Sequence, residues 1–207
     1  DADVMFVHEP LDGADEDAAQ EQAARIVNRT LALLKQPVKP AIRAERPLEV
    51  DADLRPEGKQ GAIVRSLDSY RSYYERWAET WEFQALTRAR PIAGDEALGR
   101  AFVELIDPYR YPAAFEPEQV QQIRRMKARV ENERMPHGAD RTRQLKLGRG
   151  GLSDVEWLVQ LVQLRHAHAV PGLRTTSTLK ALNAAVEAGL VEAADAEILS
   201  GAWLLAT

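Results

Sequence analysis

Two acidic pairs stand out among the residues able to do chemistry. Asp1-x-Asp3 opens the chain, and Asp51-x-Asp53 follows some fifty residues later. Each pair falls in a stretch that reads as a strand, where residues i and i+2 share a face, so the two carboxylates stand side by side. Hard oxygen donors arranged in this way suit one or two Mg²⁺ ions, which bind a few carboxylates and leave positions open for phosphate oxygens. Four acids at two strand edges repel one another unless a cation lies between them or they face apart. In two-metal phosphoryl or nucleotidyl transfer the ions clamp the attacking and leaving oxygens, and a third carboxylate can accept the proton of an incoming hydroxyl. The competing readings are ordinary ones. Exposed Asp-x-Asp is common where strands begin, and Asp53 has a same-face ion-pair partner in Arg55.

Arg88 and Arg90 could hold phosphates through guanidinium forks, although 21 of the 27 cations are Arg and a solvated Arg-x-Arg is unsurprising. Lys146 with Gly150 and Gly151, ahead of a helix N-terminus, could form an anion site; the alternative is a plain capped helix start, with Ser153-x-x-Glu156 as the capping box. Tyr70, Tyr73, Tyr74, Trp77 and Trp81 recur at helical spacing and read as core rather than as base-stacking platforms. His166 and His168 are two apart on a helix, so they point to different sides and do not form an i, i+4 metal pair. Neither a nucleophile elbow nor a dinucleotide glycine fingerprint occurs.

The elements that must position these residues begin with Val4–Val7, a short β-prone run that suits a buried strand. Helical spacing over Ala18–Leu34, with Asp15, Glu16 and Asp17 at its positive end and Pro37 as its stop, predicts the first helix. A connector with three prolines, Pro37 to Pro47, leads to a second strand, Leu48–Leu54, closed by the turn Arg55–Gly58, and Ala62–Val64 reads as a short third. Everything afterwards reads as helix. Ser66 caps a helix through Trp77 and Thr80 caps the next, Trp81 to about Arg90. Residues 95–106 and 117–134 follow, the latter with Pro117 in its favoured first turn. The helices Asp154–Ala169, Ser177–Ala188 and Ala193 to the last residue complete the set.

The chain has 207 residues with 45% hydrophobic and 29% charged side chains, enough to build a real core in one large or two small domains. A net charge of −5 argues against a nucleic-acid backbone as the main partner. No cysteine is present, which excludes disulfides, thiol nucleophiles and thiolate zinc sites and fits a reducing cytoplasm. The longest apolar runs are only a handful of residues, too short to span a bilayer. Residue 1 is Asp rather than Met and no signal-peptide pattern follows, while Ala202–Ala206 stops inside a helical pattern; the chain reads as a piece of a longer protein.

Asp1–Val7, followed by Val50-Asp51-Ala52-Asp53-Leu54-Arg55-Pro56-Glu57-Gly58, resembles a polymerase-β-type nucleotidyltransferase core. Arg76–Arg90 and Lys146–Trp157 are similar to glutamine synthetase adenylyltransferases, the bifunctional adenylylating and deadenylylating enzymes, and the four blocks stand in that family's order and approximate spacing. The resemblance implies an α+β fold. A truncated nucleotidyltransferase core, residues 1–92 with its N-terminal part missing, would precede an all-α helical bundle, residues 93–207, cut at its C-terminal end. It implies transfer of AMP from ATP to a tyrosine hydroxyl of glutamine synthetase, or its removal by phosphorolysis, with Mg²⁺ as cofactor. The wording of the Thr80–Ala85 and Gly151–Glu156 blocks looks closer to the adenylylating unit. By position, Asp1 and Asp3 would bind the metal ions and Asp51 would be the third carboxylate. Family members often carry arginine where this chain has Asp53, so no catalytic role transfers to Asp53. The family's Gly-Ser phosphate loop lies upstream of the Asp-x-Asp and is not in this chain, which predicts a weak ATP grip and an inactive fragment. Two alternatives remain: a helical interaction module docking glutamine synthetase or the PII protein, and a related nucleotidyltransferase with another acceptor.

Overall fold

The computed structural model describes residues 2–36, 49–140 and 142–207. Asp1, the connector Pro37 to Pro47 and Leu48 lie outside the described residues. Among the described residues the chain forms four short strands and eight α-helices, an α-rich α+β arrangement in which every element after Ser66 is helical. It divides into two compact units that interleave in sequence. Unit 1 comprises Asp1–Ala78 and Pro91–Leu105, and unit 2 comprises Glu79–Arg90 and Ile106–Thr207.

Unit 1 holds all four strands. β1 (Ala2–Asp3) pairs in parallel with β3 (Val50–Asp51), and β2 (Phe6–His8) pairs in parallel with β4 (Val64–Ser66). The first strand is thus two short ones rather than a single run over Val4–Val7, because Val4 and Met5 fall between two separate ladders. The second is two residues long instead of reaching Leu54: beyond Asp51 the chain turns at once, with the Arg55 amide donating to the Ala52 carbonyl at 3.3 Å. The third strand lies two residues later than its apolar triplet suggests, at Val64–Ser66.

Parallel strands need a crossover, and α1 (Glu16–Leu34) supplies it. Asp15 caps the helix, its carboxylate accepting from the Ala18 amide at 2.8 Å, and Glu16 and Asp17 sit in the first turn where the dipole favours them. Polar side chains fasten α1 to the strands: Gln20 Nε2 donates to the Val64 carbonyl at 2.8 Å, and Gln20 Oε1 lies 2.7 Å from His8 Nε2. α2 (Leu67–Arg76) starts at Ser66, whose hydroxyl accepts from the Ser69 amide. Tyr70 is fully buried, donates to the Phe6 carbonyl at 3.2 Å and meets the Phe102 ring edge-on at 5.1 Å. Burial pushes the Tyr70 phenol well above its ordinary pKa, against the opposing pull of Arg65 and Arg55. Trp77 departs from expectation. It is 73% exposed, because the helix ends at Arg76 and leaves the ring outside the core.

Unit 2 is helical. α3 (Thr80–Leu86) begins with a capping box in which Glu79 and Glu82 satisfy each other's backbone amides, so Thr80 is not the cap; its hydroxyl donates to Gln122 Oε1 instead. α4 (Glu96–Arg110) carries residues of both units and runs over Pro108. α5 (Pro117–Glu133) has Pro117 at its start and a Glu116–Gln119 capping box. α6 (Leu152–His166), α7 (Thr178–Glu187) and α8 (Ala193–Ala206) pack around Val159, Ala167, Leu173, Leu182, Ala185 and Ala196. Ser177 caps α7. Buried Gln163 is satisfied by donating to the carbonyls of Leu173 and Thr175 at 2.8 and 2.7 Å, as a polar group in a core must be.

Candidate functional site

The β1–β3 ladder brings two of the acids together. Asp3 and Asp51 are register partners, held by the Ala2 amide donating to the Glu49 carbonyl at 2.8 Å and the Val4 amide donating to the Asp51 carbonyl at 2.7 Å. Neighbouring parallel strands lie roughly 4.8 Å apart, and register partners project to the same face, so the two carboxylates are neighbours. Asp3 is exposed and Asp51 half-buried. Asp1, the third acid of the expected set, lies outside the described residues, and among the described residues no group of three potential ligands assembles a metal site.

Asp51 is held in place locally. Its Oδ1 accepts from the Asp53 amide at 2.7 Å, an Asx turn that ends the strand. That bond uses one carboxylate oxygen and leaves Oδ2 for another partner. Asp53 turns into its own loop, with Oδ1 3.6 Å from Arg55 and Oδ2 3.2 Å from Lys59. Arg55 lies almost wholly inside the turn, donating to the carbonyls of Ala52, Lys59 and Gly61. Asp51 and Asp53 line a cleft of about 410 Å³, together with Glu49, Lys35 and Lys59. The register partners Asp3 and Asp51, rather than the ion-paired Asp53, supply hard carboxylate donors of the sort that fit Mg²⁺ carrying phosphate ligands.

The remaining candidates belong to unit 2. Arg88 is committed to structure: Nη1 donates to Thr178 Oγ1 at 2.6 Å and Nη2 lies 3.7 Å from Glu156 Oε1. Arg90 is exposed, with no hydrogen bond or ion pair among the described residues. In the glycine loop the amides are already engaged. Those of Lys146 and Leu147 donate to Gln144 Oε1, that of Gly150 to Asp154 Oδ2 at 2.7 Å, and that of Gly151 to the Gly148 carbonyl. The amides of Leu152 and Ser153 donate to the carbonyls of Leu145 and Lys146. The Ser153–Glu156 capping box does not form. Gly151 is the cap, Ser153 is buried inside the helix, and Glu156 faces Arg88.

Two cations outside the candidate set do structural work. Buried Arg110 donates to the carbonyls of Leu86 and Ala89 and pairs with Asp107, closing the end of α3. Lys127 bridges Glu131 and Asp154. Partial burial disfavours its charge, yet hydrogen bonds and attraction from the two carboxylates prevail and raise its pKa. In a chain with 21 arginines, nothing in local spacing singles out Arg110 as buried.

Residues 1–105 match the glutamate-ammonia ligase adenylyltransferase family, and residues 124–205 match the GlnD PII-uridylyltransferase family. Along its whole length the chain is 57% identical to the bifunctional glutamine synthetase adenylyltransferase/adenylyl-removing enzyme of Streptomyces avermitilis. It is 54% identical to the proteins of the same name from Mycobacterium avium and Streptomyces coelicolor. It spans about 20% of the length of each. The adenylyltransferase match takes in both strands of the acidic ladder and the turn that follows them, as well as half of all residues; the chain belongs to the glutamate-ammonia ligase adenylyltransferase family.

Proposed function

We propose that residues 1–92 contribute the metal-binding part of a polymerase-β-type nucleotidyltransferase core, which moves AMP from ATP to a tyrosine hydroxyl of glutamine synthetase or removes it by phosphorolysis. The observation that carries this reading is the register pairing of Asp3 with Asp51 inside the segment matched to the adenylyltransferase family. Asp1, Asp3 and Asp51 would hold Mg²⁺, which would supply positive charge to stabilise the phosphate oxygens in the transition state. Asp51, with Oδ1 tied to the Asp53 amide, offers Oδ2 to accept the tyrosine proton. The tyrosine oxygen then bonds to the α-phosphorus as the bond to the bridging oxygen breaks and pyrophosphate leaves. In the reverse sense an oxygen of inorganic phosphate attacks the same phosphorus, and the tyrosine oxygen leaves and regains its proton.

The proposal stops at unit 1. Arg88 already has two partners and the Gly150 and Gly151 amides are engaged among the described residues, so phosphate binding is assigned to unit 1 alone. A match to two families over adjoining segments supports a role for residues 124–205 common to nucleotidyltransferases with different acceptors. A cysteine-free composition supports a reducing cytoplasm.

The test is Asp51→Asn in the full-length protein, with labelled AMP transfer to glutamine synthetase as the readout. Transfer should fall at least about a hundredfold, the scale for losing one transition-state group, with the melting temperature unchanged. Full transfer by that variant overturns the assignment.

A further inference from the structure

We infer that Arg55 is a positioning residue that aims the Asp51 carboxylate, an inference resting on the metal reading above. The lever is a single peptide plane. Arg55 Nη1 donates to the Ala52 carbonyl at 2.7 Å, and the amide of the same peptide unit, that of Asp53, donates to Asp51 Oδ1 at 2.7 Å. In a trans peptide the C=O and N–H point in opposite directions and turn together. Fixing the oxygen therefore fixes where the N–H points, and with it the orientation of the carboxylate.

The guanidinium is itself immobilised. Nε donates to the Gly61 carbonyl at 3.0 Å and Nη2 to the Lys59 carbonyl at 3.1 Å, and the side chain is only 10% exposed. Three carbonyls in three directions require a rigid planar fork, which lysine lacks. The turn that Arg55 spans is otherwise costly. Glu57 and Gly58 both have positive φ (62° and 56°), and a side chain at Gly61 would meet the Pro56 carbonyl oxygen at 2.0 Å. Arg65 of β4 pairs with Glu57 from outside the turn. Pairing with Asp53 at 3.6 Å is longer and accounts for none of the carbonyl bonds.

The experiment uses the full-length protein with Mn²⁺ as probe, read by electron paramagnetic resonance without nucleotide. Arg55→Lys and Arg55→Met should each weaken Mn²⁺ binding about tenfold or more, the usual cost of losing a group that orients a ligand. Transfer activity should recover when Mn²⁺ is raised to saturation. Asp53→Asn, which keeps the amide, should bind Mn²⁺ like the wild type. Wild-type affinity in Arg55→Lys, or a deficit that saturating metal does not relieve, overturns the inference. Hydrogen exchange at the wild-type Asp53 amide needs no variant: it should be protected, and free exchange also overturns it. Asp51→Asn separates the two ideas, because unaltered Mn²⁺ affinity there defeats the metal reading itself.

Discussion

Two polar loops, the turn at 51–61 in unit 1 and the glycine loop at 144–154 in unit 2, use the same materials to opposite ends. Each has a glycine where a Cβ would strike backbone, at 2.0 Å from the Pro56 oxygen for Gly61 and 2.5 Å from the Leu145 oxygen for Gly151. Each is knitted by side chains bonded to backbone groups. In the first loop a guanidinium collects carbonyls, so what remains unbonded at the surface is carboxylate oxygen. In the second, Gln144 and Asp154 collect the amides of Lys146, Leu147 and Gly150. A glycine-rich loop before a helix attracts anions only if its amides are free, and the side chain that caps them decides this.

The sharpest break of this comparison is Gly61→Ala. With backbone on the receiving side, relief requires the turn to open, and a loss of about 3 kcal/mol, the upper end for overpacking, is expected in denaturant melts. Gly151→Ala should cost less, since its contact is longer. Equal or reversed losses would show that the first loop is no tighter than the second.

Alkaline titration separates the loops next. The raised pKa of Lys127 contributes stability that is fully present below its unfolded value of 10.5 and is lost as pH rises through the higher folded value. Lys127→Met should cost about 1 kcal/mol at pH 8, as expected for one partly exposed ion-pair cluster, and should show a shallower decline above pH 10.5 than the wild type. A parallel decline would mean that the Asp154 carboxylate, and with it the closed loop, does not depend on Lys127.

The smallest effect contrasts neighbours. Arg88→Ala loses the bond to Thr178 and the contact with Glu156 and should cost about 1 kcal/mol. Arg90→Ala, exposed and without a partner among the described residues, should stay within about 0.5 kcal/mol. Equal costs would return Arg88 to the list of free cations.

Much of the helical part was legible because its signals are local. Ser66 caps the helix it was expected to cap, the acids Asp15, Glu16 and Asp17 lie at the N-terminal end of α1, and Pro117 stands at a helix start. The failures come where a tertiary partner competes for a local group. Thr80 gives its hydroxyl to Gln122 and yields the cap to Glu79, and Glu156 faces Arg88 rather than the α6 cap. The interleaving of units at Glu79–Arg90 has no local signature at all. Asp53 behaves as its ordinary reading held, pairing with Arg55.

Residue types and spacing alone determined that this chain is acidic, lacks cysteine, reads as helical after about Ser66, and carries two Asp-x-Asp pairs some fifty residues apart. They also carried the family resemblance, since motif order survives without coordinates. Only the tertiary structure decided that Asp3 and Asp51 are register partners, that a peptide plane held by Arg55 fixes the latter, and that the glycine loop is closed. The reason is physical. Which donor meets which acceptor depends on a few tenths of an ångström and on rivals brought in from 27 to 90 residues away, as with Lys127 at Asp154 and Arg88 at Thr178, and a linear pattern contains no such distances.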